Sequence, residues 1–499
     1  MTDIAQYVGM DAVNIADLIR ARKLHPREVV TAAMTQIERY EPEINAVTWR
    51  RYDRALREAE EPLPDSPVAG VPFLIKDMGQ ALAGAPNTMG SRMRRYIVAD
   101  HDSALVARYK AAGLILLGQT NAPEFGASVD TKPVLHGMTN NPWDLTRSPG
   151  GSSGGAAASV AARYVPVAHA SDGGGSIRIP ASMCGLFGLK PSRGRTPKGP
   201  DVGESWFGLS IDHVVGLSVR DSAALLDVTR GPDPGALYDA PSPQRPYLEE
   251  LGRPTGRLRI AVSTHALLGG TIEPTCLEAV EGVAQLLDEL GHEVIVDQPR
   301  VDAGPLREAM SLMVAADTAA TIAASSEAAG QPPDEALFEQ AIWVIGLIGE
   351  RLSAKDLAEA LNLVKSVGRS VAPFFETYDV FVQATLARPP WHQGAMDPTP
   401  RDERAMSLVK RIPGRKVARA AVRAVASGSL DAIPNTPLWN ATGQPSMSMP
   451  LHWADGLPIG VQFTARYGDE GTLYRLASQL EEARPWKDRL PPILTERHS

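Results

Sequence analysis

The sequence contains little cysteine, with Cys184 and Cys276 the only two in 499 residues. Two cysteines are too few for a disulfide framework, and this scarcity is typical of proteins in a reducing compartment such as the cytoplasm. The sequence has no Cys/His pairs at the spacing of zinc ligands, so it predicts no metal site. Cys184 lies in an apolar run, which favours a core position over a reactive one.

A basic surplus and long apolar runs are missing as well. The formal net charge is −8, and lysine and arginine are scattered, which gives no footprint for a nucleic-acid partner. No stretch reaches the roughly 18 uncharged apolar residues of a membrane span, and the N-terminus lacks the apolar core of a secretion signal. We expect a cytoplasmic protein that binds a small molecule and no membrane. The sequence does not fix the oligomeric state, for which we expect a homodimer.

The apolar pattern indicates an α/β fold. A hydrophobic share of 43% over 499 residues allows a large core. Residues 11–40 indicate two helices, and the apolar run at 71–75 predicts a buried strand that ends at Lys76. Helix, glycine and strand follow one another at 103–118 and again at 274–296. This alternation predicts a large mixed, mostly parallel twisted sheet that is covered by helices on both faces.

No repeat or linker divides the chain, so residues 1–499 are predicted to form a single domain. Residues 65–200 hold the densest motifs and would form the catalytic core. Residues 300–430 combine an alanine- and leucine-rich helical block with a proline-rich loop, and we expect this region to shape a substrate pocket. Packing inside the helical block is the simpler interpretation of its apolar stripe, but the stripe also supplies candidate pocket residues: Met310, Met313, Trp343, Ile345 and Leu347.

Two glycine-rich turns present serine, one at residues 150–155 (GGSSGG) and one at residues 172–176 (DGGGS). Successive glycines let several backbone N–H groups converge beside the hydroxyl of Ser176, which is the arrangement that an oxyanion hole requires. No glycine run is followed by Lys-Ser or Lys-Thr, and no acidic residue completes a dinucleotide fingerprint. The turns therefore favour a nucleophilic serine and no cofactor.

A serine nucleophile needs a base within reach. None of the ten histidines lies in a context typical of a Ser-His-Asp set, and His169, on an apolar strand-like run, is expected to be a packing residue. A lysine buried at the end of a strand can act as the base instead, because burial favours its neutral form. Lys76 is the candidate for this role.

The sequence resembles the amidase signature family over nearly its whole length. The motifs that carry the resemblance are GGSSGG at 150–155, DGGGSIRIPA at 172–181, the Lys76-Asp77 pair and the GLPIGVQ run at 456–462. The resemblance implies the amidase signature fold and amide hydrolysis without a cofactor. It implies Ser176 as nucleophile, Ser152 as a proton relay on a cis peptide bond, and Lys76 as base.

The family pattern also implies the groups around these three residues. The oxyanion donors would be the backbone N–H groups of Gly173, Gly174, Gly175 and Ser176. Ser153 and Asp172 match supporting positions that hold the two glycine-rich turns together. Arg178 is expected to pair with Asp172 or another acid and brace the turn that carries Ser176.

Within the family, the chain is similar to the subgroup of 6-aminohexanoate cyclic dimer hydrolases, which open nylon-oligomer lactams. This similarity implies small cyclic or linear aliphatic amides as substrates. Aryl amides, carbamates (urethanes) and esters pass through the same acyl intermediate and remain open. Two other functions are less favoured: the glutaminase subunit of a tRNA-dependent amidotransferase, and a catalytically silent amide-binding protein.

Overall fold

The structure, a computed structural model, describes the backbone of residues 4–495 and the side chains of residues 6–422 and 430–495. Within these limits the chain forms 11 strands and 18 helices. The strands are β1 Val47–Arg50, β2 Pro72–Lys76, β3 Ile115–Thr120, β4 Val167–Asp172, β5 Phe187–Lys190, β6 Ile211–Gly216, β7 Arg259–Val262, β8 Glu293–Val296, β9 Val380–Ala384, β10 Ser446–Ala454 and β11 Leu457–Ala465.

The helices fall between and after these strands. They are α1 Ile4–Val8, α2 Ala12–Arg20, α3 Pro26–Ile44, α4 Tyr52–Glu58, α5 Ala104–Ala111, α6 Gly154–Ala161, α7 Arg178–Cys184, α8 Val219–Thr229, α9 Pro274–Glu289, α10 Ala303–Ala329, α11 Gln340–Glu350, α12 Ala354–Val371, α13 Phe374–Thr377, α14 Pro400–Arg411, α15 Arg415–Ala432, α16 Pro437–Thr442, α17 Glu470–Ala483 and α18 Pro492–Thr495. The two N-terminal helices, the strand ending at Lys76 and the helical block are thus confirmed.

All the described strands belong to one sheet, in the order β1-β3-β2-β4-β6-β5-β10-β11-β9-β7-β8. The predicted α/β class and mixed sheet are confirmed, but the expectation of a mostly parallel sheet is wrong. Only four of the ten neighbouring pairs described are parallel: β2 with β3, β2 with β4, β7 with β8, and β7 with β9. The reason lies largely in the β10–β11 hairpin, which occupies the middle of the sheet and pairs antiparallel on both sides.

Helices cover both faces of the sheet. Alternate residues of β9 show this, because Val380 and Val382 pack with α9 and α17, whereas Phe381 packs on the opposite face with residues of α10, α12 and α16. β4 is buried along its whole length. The sheet therefore forms the centre of the molecule, with its cores on either side.

Helix α10 is long and apolar enough to cross a membrane by length and composition, with a mean hydropathy of 1.2 over its most apolar window. The sequence expectation required an uncharged run and did not single it out. Half of this window is buried in the fold, where α10 packs against α11 and α12. A helix in the core of a globular protein packs in the same way.

The sheet brings the motifs together at the carboxyl ends of two neighbouring strands. Strands β2 and β4 are parallel neighbours, so their carboxyl ends lie side by side, with Lys76 ending one strand and Asp172 the other. Helix α6 begins at Gly154, within the first glycine-rich turn, and α7 begins at Arg178, two residues after the second turn ends at Ser176. Each turn thus leads into the amino end of a helix.

Candidate active site

The amine of Lys76 lies among three serine hydroxyls in the protein interior. Its Nζ atom is 2.7 Å from Ser152 Oγ, 3.0 Å from Ser153 Oγ and 2.9 Å from Ser171 Oγ. Lys76 is fully buried, and burial lowers the pKa of its amine from 10.5 to about 7, against the opposing effects of Asp212 and Asp172. A substantial fraction of the amine is therefore neutral near pH 7, as a proton acceptor requires.

The two glycine-rich turns are joined beside Lys76. The peptide bond between Gly151 and Ser152 is cis. Ser153 links the first turn to β4, because its hydroxyl donates to the Ser171 carbonyl at 3.2 Å and lies 3.3 Å from the Ser171 N–H, which donates to it. Ser171 contacts Lys76 directly and was not singled out in the sequence, although its place next to Asp172 at a strand end was a usable signal.

Asp172 and Arg178 form a buried ion pair behind the second turn. The Nε and Nη2 atoms of Arg178 donate to the two carboxylate oxygens of Asp172, each at 2.9 Å, and neither side chain is exposed. Burial opposes the charge on Asp172, but Arg178, Lys190 and Asn440 outweigh it and lower the pKa of the carboxyl to about 2. The expected pairing of Arg178 with Asp172 is present.

The same pair is anchored to the carboxyl-terminal half of the chain. Arg178 donates to Gln462 Oε1 at 2.8 Å and to Asn440 Oδ1 at 2.7 Å, and Asn440 in turn donates to Asp172. Gln462 belongs to the motif at 456–462, which explains why that distant run accompanies the glycine-rich turns. Asn440 carried no sequence signal, since it lies on the short helix α16.

The N–H groups of the second turn do not all point the same way. Gly175 N–H donates to Asp172 Oδ1 at 2.7 Å, so it is engaged, and the expectation that Gly175 is an oxyanion donor does not agree with this geometry. Within the described part of the chain, the N–H groups of Gly173, Gly174 and Ser176 have no hydrogen-bond partner. These three remain available to a ligand.

His169 and Asp212 lie beside the backbone of Lys76. The backbone N–H of Lys76 donates to His169 Nδ1 at 3.2 Å, and His169 Nε2 lies 3.1 Å from Asp212 Oδ1. Both ring nitrogens are thus engaged, which agrees with a packing role for His169. Asp212 also contacts Lys198, and although burial opposes its charge, Lys198 and His169 lower the pKa of Asp212 well below its ordinary value.

Two cavities meet at Ser176, whose side chain is half-buried. The first, of about 200 Å³, is apolar, with walls from α10, α11 and α15. The second, of about 510 Å³, has many charged and hydroxyl side chains among its lining, including Ser152, Ser171 and Lys198, and we call it the polar cavity. Gly173 and Trp206 line both cavities, whereas Gly175 lines neither. A substrate carbonyl at Ser176 would therefore have one neighbouring space for apolar groups and one for polar groups.

Of the five pocket candidates from the helical block, two line the apolar cavity and three do not. Met310 and Ile345 line the apolar cavity, as expected. Met313 is instead buried in the core, and Trp343 stacks on Phe338 with ring centroids 5.7 Å apart. Leu347 lines neither cavity among the described side chains.

Comparison with known proteins gives a consistent family. Residues 28–474 match the amidase family. The chain is 38% identical to the 6-aminohexanoate-cyclic-dimer hydrolase of Paenarthrobacter ureafaciens, over 97% of each chain. Its fold is similar to a solved structure of 6-aminohexanoate cyclic dimer hydrolase complexed with substrate, with a TM-score of 0.89 and 36% identity over 98% of this chain and 99% of that one.

A second solved structure widens the range of related activities. It is a bacterial aryl acylamidase of the amidase signature family, with a TM-score of 0.81 and 27% identity over 96% of each chain. The family match, the relative and both structures cover almost the entire chain. This protein therefore belongs to the amidase signature family and is a hydrolase that acts on carbon–nitrogen bonds in amides.

Proposed function

We propose that the protein cleaves amides through an acyl-enzyme formed on Ser176, with Ser152 as the proton relay and Lys76 as the base. One observation carries this proposal: the 2.7 Å contact between the buried Lys76 amine and Ser152, in a cavity that Ser176 also lines. The lysine is held by hydroxyls, and the pKa of its amine is lowered to about 7 by burial. It can therefore accept a proton at neutral pH.

Acylation begins with transfer of two protons. Ser176 gives its hydroxyl proton to Ser152 Oγ, while Ser152 gives its own proton to neutral Lys76. Ser176 Oγ attacks the amide carbonyl and forms a tetrahedral intermediate. Its negative oxygen is stabilised by the N–H groups of Gly173, Gly174 and Ser176, which are held in place before the reaction.

The second half of acylation reverses the relay. Protonated Lys76 returns a proton through Ser152 to the leaving nitrogen, the carbon–nitrogen bond breaks and the amine departs. Water then attacks the acyl-enzyme, with its proton passing through the same relay, and the carboxylic acid is released. In this scheme Asp172 and Arg178 do not touch the reacting atoms but hold the second turn in place, while Ser153 joins the two turns and contacts the Lys76 amine.

For the substrate we propose small cyclic or linear aliphatic amides of the 6-aminohexanoate type. Two observations support this class: the resemblance to cyclic dimer hydrolases over nearly the whole chain, and the two cavities at Ser176. The apolar cavity suits a polymethylene segment, since its lining includes Met310, Val314 and Ile345. The polar cavity suits the second amide of a cyclic dimer.

Aryl amides are the second candidate class. The likeness to an aryl acylamidase favours them, as does the ring of Trp206, which lies on the boundary between the two cavities. An aromatic ring could pack on this indole. Carbamates and esters share the acyl-enzyme chemistry and are distinguished only by assay.

The mechanism is tested by covalent labelling with a fluorophosphonate, followed by intact-mass measurement and peptide mapping. The expected result is one adduct per chain, on Ser176, in the wild type. Ser176→Ala should give none, and Ser152→Ala should be labelled much more slowly. Ser366→Ala, which changes an exposed serine on α12, is the matched control and should be labelled at the wild-type rate. Full labelling of Ser176→Ala would contradict the proposal.

The substrate class is tested by hydrolysis of a panel by wild type and Ser176→Ala. The panel comprises the 6-aminohexanoate cyclic dimer, linear aliphatic amides, anilides, aryl carbamates, p-nitrophenyl esters and glutamine. Serine-dependent turnover of the cyclic dimer at the highest kcat/KM supports the first class. Turnover of anilides in preference to all aliphatic amides would overturn it in favour of the second.

A further inference from the structure

Five acidic groups line the polar cavity, and the mechanism uses none of them directly. Asp317 lies on α10 and lines this cavity together with Ser152 and Ser176. Its carboxylate accepts from the Thr321 hydroxyl at 3.5 Å and lies near the Trp206 backbone N–H. The Trp206 ring packs so closely on Gly173 that a Cβ there would be 2.8 Å from it. Asp317 is therefore connected through one residue to the turn that carries Ser176.

Asp317, which is half-buried, differs from Asp172 and Asp212 in having no cation beside it. Asp172 is paired with Arg178, and Asp212 with Lys198. Within the described part of the chain, no lysine, arginine or histidine contacts Asp317, and its charge is opposed by burial, which raises the pKa of the carboxyl. Burying a carboxylate without a cation is costly.

The cations that line this cavity are engaged elsewhere. Arg94 lines the same cavity, but it donates to the Asn87 carbonyl at 3.0 Å and to Ser325 Oγ at 3.3 Å. Ser325 follows Asp317 by eight residues on the helix, a rise of about 12 Å. The two charges thus occupy opposite ends of one wall of the cavity.

From this geometry we propose that Asp317 binds an aliphatic ammonium group and so favours, among the linear amides of the proposed class, those that carry one. This inference rests on the proposed function, because it places the substrate in the polar cavity beside Ser176. A carboxylate offers about four acceptor positions, and only two neutral donors lie close to this one. An ammonium group would fill the remaining positions and supply the missing positive charge.

The experiment measures binding to the Ser176→Ala protein, in which amide ligands stay intact. Three ligands share one scaffold: N-(5-aminopentyl)hexanamide, 6-amino-N-hexylhexanamide and the neutral N-hexylhexanamide. Calorimetric titration at about pH 8, where an alkylamine is charged, gives the Kd of each. We expect at least one ammonium ligand to bind more tightly than the neutral ligand, and the identity of that ligand shows which part of the substrate faces Asp317.

The decisive quantity is the ratio of the neutral ligand's Kd to the ammonium ligand's Kd. Asp317→Asn, made in the same Ser176→Ala background, should lower this ratio about tenfold, equivalent to about 1.4 kcal/mol. Asp302→Asn removes an exposed acid at the start of the same helix and should leave the ratio unchanged. Asp317→Thr serves as a second variant if the asparagine protein does not fold.

The outcomes separate this inference from the proposed function. An unchanged ratio in both Asp317 variants overturns the role of Asp317, even if wild type hydrolyses amides through Ser176. The absence of any preference for ammonium ligands in the Ser176→Ala protein also overturns it. A wild type that hydrolyses no amide contradicts the proposed function, while the binding ratio still reports on Asp317.

Discussion

Lys76 Nζ and Ser152 Oγ lie 2.7 Å apart, at the junction between the end of β2 and the first glycine-rich turn. Among the described residues, no carboxylate contacts this amine; its neighbours are three hydroxyls. A lysine in a salt bridge would stay protonated, whereas a buried lysine whose amine contacts only hydroxyls can lose its proton. The pairing therefore supports the proposed role of Lys76 as the base and underlies the predicted pH dependence of the reaction.

The first prediction concerns that dependence. Protonated Lys76 cannot accept a proton, so kcat/KM should rise with pH through the pKa of about 7 and level off above it. Lys76→Met should lower kcat/KM by about 10²–10⁴-fold. Initial rates on the best amide of the panel, measured from about pH 5 to 9 in buffers of constant ionic strength, check both expectations.

The control for this prediction is Lys355→Met, which removes an exposed lysine on α12 and should leave the profile unchanged. A wild-type profile that is flat across this range, or one that falls as the pH rises through about 7, would contradict the assignment of Lys76 as the base.

The second prediction concerns the buried pair of Asp172 and Arg178. Arg178→Met should lower the free energy of unfolding by about 3–5 kcal/mol, because it leaves Asp172 charged and uncompensated in the interior. Urea denaturation of wild type and variant at neutral pH measures the difference. Lys355→Met, whose ion pair with Glu359 is exposed, should change stability far less.

The pH dependence of the same stabilisation has a definite sign. The folded pKa of Asp172, about 2, is below its ordinary value of 3.8. Its contribution is therefore fully present above pH 3.8 and is lost as the pH falls from 3.8 toward 2. Arg178→Met should remove this acid-side loss. A variant that keeps both the wild-type stability and its loss in acid would contradict the role of the pair.

The sequence predicted those parts of the site that depend on local pattern. An apolar run that ends abruptly in charge located Lys76 at a strand end, and two glycine-rich runs located the turns of Ser152 and Ser176. Each of these signals spans fewer than ten residues. The local pattern favoured Ser176 as the nucleophile and Lys76 as the base, and the family resemblance then supplied the relay role of Ser152.

The parts that could not be predicted depend on contacts across the sheet. Asp212 reaches His169 because β6 pairs antiparallel with β4, and no local pattern encodes that pairing. The sequence also presents Gly173, Gly174 and Gly175 as equivalent, although only Gly175 has its N–H bonded to Asp172. The prediction of a mostly parallel sheet was wrong for the same reason, since the position of the β10–β11 hairpin in the sheet depends on long-range pairing.

The third prediction uses this difference between neighbouring glycines. A Cβ on Gly175 would lie 2.4 Å from Thr436 Oγ1, and its φ of +132° is one that side chains rarely adopt. A Cβ on Gly174 would meet no atom within 4 Å. Gly175→Ala should therefore lower both the melting temperature and the rate of fluorophosphonate labelling, whereas Gly174→Ala should keep the wild-type melting temperature.

Differential scanning calorimetry of both variants, together with labelling at a fixed reagent concentration, tests this contrast. Equal melting temperatures for the two variants would show that the turn tolerates a side chain at Gly175. That result would contradict the packing of the turn against Thr436.

The last prediction concerns Asp212 and Lys198, whose charges act on the Lys76 amine. Asp212 raises the pKa of the Lys76 amine and Lys198 lowers it, while burial remains the largest effect. Asp212→Asn removes a negative charge, so the midpoint of the kcat/KM profile should move to lower pH. Lys198→Met removes a positive charge and should move the midpoint to higher pH.

Opposite shifts would show that these residues act through the lysine, because a merely structural defect would lower the rate without moving the midpoint. The control is Asp302→Asn, an exposed acid that lines neither cavity at Ser176, for which the midpoint should not move. Shifts in the same direction for Asp212→Asn and Lys198→Met would contradict the electrostatic coupling, since one charge of each sign has been removed from the same side of Lys76.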